Sequence, residues 1–167
     1  MRQIKAQPLS YEAFRRYGSF INMLDDEGMA KASFNPAGFF PDMIELNFGT
    51  TTLPCVCCCS VKKRDKNVIA FMEFHQYTSE GLLAIDADVI IYVGAAIRGQ
   101  MNPETLEAFI LPKGTFVKLN PMVIHGTQFP INTEDAHLLC LLPQRTFYND
   151  CVVKRIENED EMVEVLL

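Results

Sequence analysis

From Cys55 to Arg155 the chain is a succession of short apolar, β-compatible stretches, each closed by turn residues, with no helical periodicity between them. The stretches are Cys55 to Lys62, Val68 to His75, Leu82 to Ile85, Val89 to Val93, Ala108 to Leu111, Phe116 to Leu119, Met122 to His125, His137 to Leu142 and Cys151 to Arg155. Asp86-Ala87-Asp88, Asn102-Pro103-Glu104, Pro112-Lys113-Gly114, Asn120-Pro121 and Asn149-Asp150 punctuate them. Many short strands without intervening helices predict an all-β sandwich, jelly roll or barrel, and exclude a parallel α/β sheet. Helix is expected only at the two ends. Ser10 is placed to cap a helix over Tyr11 to Tyr17 that Gly18 would end, and Glu159 to Leu166 is compatible with a short final helix. The Gly, Pro and acidic residues of Asp25 to Phe40 read as a loop, with Phe39 and Phe40 available to the core. At 167 residues there is length for one core, divided here into an N-terminal extension (1–54), barrel strands (55–156) and a tail (157–167).

Charge narrows the partners. Fifteen Lys and Arg against 21 Asp and Glu give a net charge of -6, which disfavours nucleic acid and anionic membrane as partners. No apolar run approaches the ~20 residues that span a bilayer. The opening MRQIKAQPLSYEAF lacks the apolar stretch of a secretory signal, so a cytoplasmic location is expected. Four of the six cysteines fall in PCVCCCS. Cys55, Cys57 and Cys59 would share one face of a strand and Cys58 the other, so neighbours cannot bridge easily. Free thiols in a buried apolar strand fit better than a zinc site, because the Cys55–Cys58 spacing has no second ligand pair, Cys140 and Cys151 standing apart.

The three histidines are the chemically informative residues. In VIAFMEFH, alternation puts Ile69, Phe71, Glu73 and His75 on one face, and a turn then delivers Glu80. Two polar groups on an apolar strand face are costly unless they are paired or ligating. Eleven positions separate Gly114 from His125, with a Pro121 turn between them. His137, inside AHLLCLL, reads as structural. Lys62 to Lys66 reads as a solvated hairpin tip, and ENEDEMVE as surface.

These segments resemble the two halves of the cupin signature. Glu73 stands at the first His of motif one, His75 and Glu80 match its remaining ligands, and Gly114 and His125 keep the spacing of motif two. Phe129 replaces the Asn of that motif, and the flanking glycines of motif one are absent. A resemblance to the ureidoglycolate lyase (ureidoglycolate hydrolase) family covers nearly the whole chain. PLSYEAFRRYG resembles that family's N-terminal PLS-x-EAF-x-x-YG, EFHQYTSEGLLAI its ERHP-x-x-x-Q region, ETLEAFILPKG the lead into motif two, VIHG its Trp-His motif and NDCVVKRI its closing strand. Gln76 replaces the Pro after the motif-one His, Glu80 stands where Gln is frequent, and Ile124 replaces Trp.

The resemblance implies a cupin-type double-stranded β-helix that pairs into a homodimer and splits ureidoglycolate, a small carboxylate, into glyoxylate and urea. Such cleavage needs a base for the substrate hydroxyl, an acid for departing urea and a cation for the carboxylate. Glu73 or Glu80 is the candidate base. His75 and His125 are candidate acids, and Lys118, Arg98 and Arg145 are candidate carboxylate partners. Glu73, His75, Glu80 and His125 also suit one divalent ion (Zn, Mn, Ni or Fe), or a metal-free acid–base cluster. A metal-dependent oxygenase or isomerase, or a non-catalytic metabolite-binding module, would use the same residues.

Overall fold

The structure, a computed structural model, describes residues 1–35 and 38–167; Pro36 and Ala37, within the expected Asp25 to Phe40 loop, lie outside the described residues. In chain order the strands and α-helices are β1 (Arg2–Pro8), α1 (Tyr11–Phe14), β2 (Gly18–Asn22), α2 (Asp26–Ala32), β3 (Pro54–Lys62), β4 (Asn67–Ile69), β5 (Phe71–Phe74), β6 (Glu80–Ala84), β7 (Val89–Ala95), β8 (Glu107–Leu111), β9 (Thr115–Leu119), β10 (Val123–Ile124), β11 (Phe129–Pro130), β12 (Asp135–Pro143), α3 (Thr146–Asn149), β13 (Val152–Arg155) and β14 (Val163–Leu166). One sheet runs β10-β7-β8-β1-β14-β4, with β11 also on β7, a second runs β2-β9-β6-β12-β3, and β13 pairs with β5. No helix among the described residues is long and apolar enough to cross a membrane.

The sequence of β7 explains the layering. VIIYVG is buried on both faces, as a continuous apolar run predicts. Val89, Ile91 and Val93 pack into one core with Phe14, Phe109, Leu82, Val117 and Leu138. Ile90 and Tyr92 pack into another with Ile69, Met72, Phe74, Phe129 and Ile156. Phe14 meets Phe109 edge-on, centroids 5.3 Å apart at 87°, which anchors α1 on the first core.

Four expectations change. The N-terminal helix is one turn: Ser10 Oγ accepts from the Ala13 N–H, and Gly18 opens a strand rather than only closing the helix. Asp26–Ala32, expected as loop, is helical because Asp25 caps it through the Gly28 N–H (3.0 Å) and Met29 is buried. Phe39 is exposed, not packed on the core. The expected final helix is a 3₁₀ turn at Glu159–Glu161 followed by β14, which lies parallel to β1 (Arg2↔Val163) and antiparallel to β4. Val163 and Val165 alternate into the core there, and this non-local pairing overrides local helix propensity. The extension and the tail thus supply strands to the sheets: β1 joins β8 and β14, and β2 pairs with β9.

The stretch Val68 to His75 is two strands. The Ala70 carbonyl leaves the ladder to accept the Ile156 N–H (2.9 Å), and the chain passes from β14 to β13. The switch puts Ile69 in a core while Phe71 and Glu73 line a cavity.

Candidate functional site

The β5 strand presents Glu73 and runs out at Phe74, so His75 begins the turn that follows. Reciprocal hydrogen bonds, Glu73 N–H to His125 C=O and His125 N–H to Glu73 C=O (both 2.9 Å), lock the two motifs together across fifty residues. Gly126 follows His125 where a Cβ would collide with the Tyr92 hydroxyl. Between the two, Glu80 opens β6. The turn that joins His75 to Glu80 is tied down by Asn47, whose carbonyl accepts from Ser79 N (2.8 Å) and from the Thr78 hydroxyl (3.0 Å).

Both imidazoles are oriented by backbone oxygen. His75 Nδ1–H donates to the Asp150 carbonyl (2.6 Å) and His125 Nδ1–H to the Val123 carbonyl (2.9 Å). A carbonyl only accepts, so each Nδ1 carries hydrogen and each Nε2 faces the site. The two Nε2 atoms converge on one oxygen, Glu80 Oε2, at 3.1 and 2.9 Å. All three side chains are buried. Three acceptor-capable atoms meeting at a buried position require positive charge among them, as protons or as a cation. With protons, burial alone would push Glu80 up, but the His125 charge and hydrogen bonds from both imidazoles hold its carboxyl at about 2. Burial lowers His125, and the Glu80 charge and hydrogen bond, reinforced by Glu73, carry it up to about 9.

The same geometry fits a divalent ion. The donor atoms of His75, Glu80 and His125 lie within 4.8 Å of one another. Their second nitrogens are already engaged, and a His₂–carboxylate set suits manganese, iron, nickel or zinc. Glu73 stands beside this trio. Its Oε1 is 3.9 Å from His125 Nε2 and its Oε2 accepts from the Cys151 thiol (3.3 Å).

Glu73, Glu80 and His125 line a cavity of about 540 Å³ that also takes in Phe71, Gln128, Phe147 and Cys57, Cys58, Cys59, Cys140 and Cys151. The cysteines are all free. They are not the buried apolar strand the sequence suggested: Cys55, Cys57 and Cys59 are half-buried and Cys58 is exposed. Burial above all pushes the pKa values of Cys57 and Cys59 up, and burial together with Glu73 lifts that of Cys151 to about 12, so the thiols stay neutral. Apart from His75, Glu80 and His125, no cluster among the described residues offers three metal donors.

The predicted carboxylate partners are not in this cavity. Lys118 lies on β9 between buried Val117 and Leu119 and is turned to the other face of the sheet. Arg98 is exposed in a turn at φ 52, and Arg145 is exposed at φ 65 beside a neighbouring hollow. Arg155 lines the cavity instead. His137 stands away from the site, as its structural reading has it, but on a partly exposed face rather than a buried one, paired with Asp86 (2.6 Å). Sequence reasoning missed Asp150, whose carboxylate accepts the Gln76 and Tyr77 N–H groups (2.7 and 2.9 Å) while its carbonyl holds His75. Its Asn149-Asp150 context signalled only a turn.

A family model described as ureidoglycolate lyase matches residues 1–164. No curated protein matches the chain. A dTDP sugar isomerase from Desulfovibrio desulfuricans G20 superposes with a TM-score of 0.51 at 12% identity, over 72% of this chain and 73% of that one. The oxalate decarboxylase of Bacillus subtilis, described with Mn(II) centres, gives 0.42 at 15% identity over 60% of this chain. The chain spans only 23% of the length of that decarboxylase. The solved neighbours are cupins, and the mostly-β architecture is of cupin type, as the sequence led one to expect.

Proposed function

We propose a function from one premise: the chain belongs to the ureidoglycolate lyase family. The reading is that it cleaves ureidoglycolate to glyoxylate and urea. The observation that carries it is the convergence of both imidazole Nε2 atoms on Glu80 Oε2, with Glu73 alongside, inside a cavity sized for a small metabolite.

His75, Glu80 and His125 would hold a divalent ion, which when bound supplies Lewis acidity toward a substrate oxygen. The chain's own groups do the proton work. Glu73 is the carboxylate left beside the trio, and it takes the proton from the substrate hydroxyl as the carbon–nitrogen bond breaks. The carbinol carbon becomes the aldehyde of glyoxylate, the bonding pair leaves on nitrogen, and the same proton returned from Glu73 completes urea. The Cys151 thiol, neutral and donating to Glu73 Oε2, leaves Oε1 for this transfer. The Asp150 and Val123 carbonyls keep both rings turned inward throughout.

The test is glyoxylate release from ureidoglycolate, with and without chelator. Glyoxylate above the uncatalysed background is expected, lost on chelation and restored by a divalent transition ion. No glyoxylate under either condition overturns the reading. Activity that resists chelation removes the ion and leaves the acid–base cluster.

A further inference from the structure

The cavity poses an electrostatic problem for an anionic substrate. Two carboxylates, Glu73 and Glu80, line it, and the whole chain carries a net charge of -6. Among the lining residues Arg155 is the one Lys or Arg. Cys151, Val153 and Arg155 all line the cavity, as period-2 alternation requires, whereas Lys154 turns away and donates to the Met101 carbonyl (3.2 Å). Arg155 sits opposite Phe71 in the β13–β5 pair, and Val153 sits opposite Glu73. Two strand positions therefore separate Arg155 from the level of Glu73, about 7 Å along the strand. A flexible side chain covers that distance. None of the ion pairs or side-chain hydrogen bonds among the described residues uses the Arg155 guanidinium. An adjoining hollow shares Cys59 and Thr127 with the cavity and adds a second arginine, Arg64, also without an ion pair among the described residues.

We propose that Arg155 is the binding residue for the carboxylate of the substrate, with Arg64 adding positive potential at the same rim. The proposal rests on the lyase reading and assigns the substrate's orientation in that site. A guanidinium presents two parallel N–H groups that match a carboxylate, and its charge offsets the repulsion from Glu73 and Glu80 at the mouth. With the carboxylate held at Arg155, the carbinol carbon is directed inward to Glu73, and the neutral ureido group lies along the uncharged thiols of Cys57 and Cys140. The site thereby selects small α-hydroxy acids whose second substituent is neutral. A second carboxylate in that substituent would meet the thiol wall without a cation.

Arg155→Ala and Arg155→Lys test the assignment, using steady-state kinetics on ureidoglycolate and ligand-observed NMR with glyoxylate and with urea as separate probes. Arg155→Ala is expected to raise KM and the glyoxylate Kd by about tenfold to a hundredfold, the loss of a charge-assisted pair. Urea affinity and kcat should hold within about threefold, a split that a general loss of structure would not give. Lysine should recover part of the affinity, since it keeps the charge and loses the fork. Arg64→Ala should act mainly at low salt. The proposal is overturned by an Arg155→Ala protein with KM and glyoxylate Kd within about twofold of the parent, or by equal weakening of glyoxylate and urea. A parent protein that binds glyoxylate through Arg155 yet never turns over ureidoglycolate would sink the lyase reading and leave the anion site standing.

Discussion

The trio of His75, Glu80 and His125, which reaches the cavity through Glu80 and His125, and the region of Cys57, Cys59 and Cys140 that lines the same cavity are held in different ways. In the first, both imidazoles are fixed at each nitrogen: Nδ1 to backbone carbonyl and Nε2 to Glu80, with the turn between them tied to Asn47 and Asp150. In the second, among the described residues, only Cys59 has a polar partner, donating to Gln128 (3.3 Å), and burial keeps the sulfurs protonated. Cys57 and Cys140 face each other in the β3–β12 register without forming a disulfide. The contrast separates two tasks of a binding cavity. Buried polar groups that must react are over-determined by hydrogen bonds, whereas those that only shape the space are left neutral and soft.

The sharpest break of that contrast is at Glu80. Glu80→Gln keeps the volume but removes the charge both imidazoles face, and glyoxylate release should fall by about 10³-fold, read in single-turnover assays. Next is cation binding. The parent should take up one divalent ion per chain, measured by elemental analysis and calorimetry, and His125→Ala should abolish uptake. Asp150→Ala should weaken it by about tenfold or more, since the ligand His75 then loses the clamp on its turn. Stoichiometry unchanged in His125→Ala would mean the trio is not the ion's site.

The metal-free protein should show a pH signature. The pKa of His125 is raised from 6.5 to about 9, so its contribution to stability is complete below 6.5 and disappears as pH climbs through 9. The pKa of Glu80 is depressed from 4.5 to about 2, so its contribution is present above 4.5 and is lost as pH falls toward 2. Urea midpoints should therefore peak between 4.5 and 6.5. Glu80→Gln should flatten that profile, and a parent profile already flat to pH 9 would show that the pair is not ionised. The smallest effect belongs to the thiols: Cys57→Ala and Cys140→Ala should keep kcat within about threefold. Loss of ion uptake in either would erase the division between the two regions.

How far the sequence could be read follows the same line. Period-2 patterning located the strands from β3 to β13 apart from the two-residue β11, with β4 and β5 read as one; polar groups on an apolar strand face picked out Glu73 and His75, the following turn Glu80 and the Gly114 spacing His125, and all four meet in space. The lost information is non-local. Nothing in VEVL distinguishes a strand from a helix until β1 and β4 stand on either side of it. The cation at the cavity could not be chosen among the arginines because β13 reaches the site only through its pairing with β5. Asp150 holds His75 through its own carbonyl, which leaves no trace in residue identity, and its carboxylate serves backbone N–H groups of a turn that is distant in sequence.

The position of β14 has a separate consequence. It is wedged between β1 and β4, and the acidic Glu157–Glu161 stretch leading to it is exposed. Cutting the chain in that stretch would vacate a slot with hydrogen-bonding groups bare on both sides, open to reinsertion of a free peptide carrying Val163 to Leu166. The fold is thus laid out for split-protein complementation, in which a short strand supplied from outside restores the sheet.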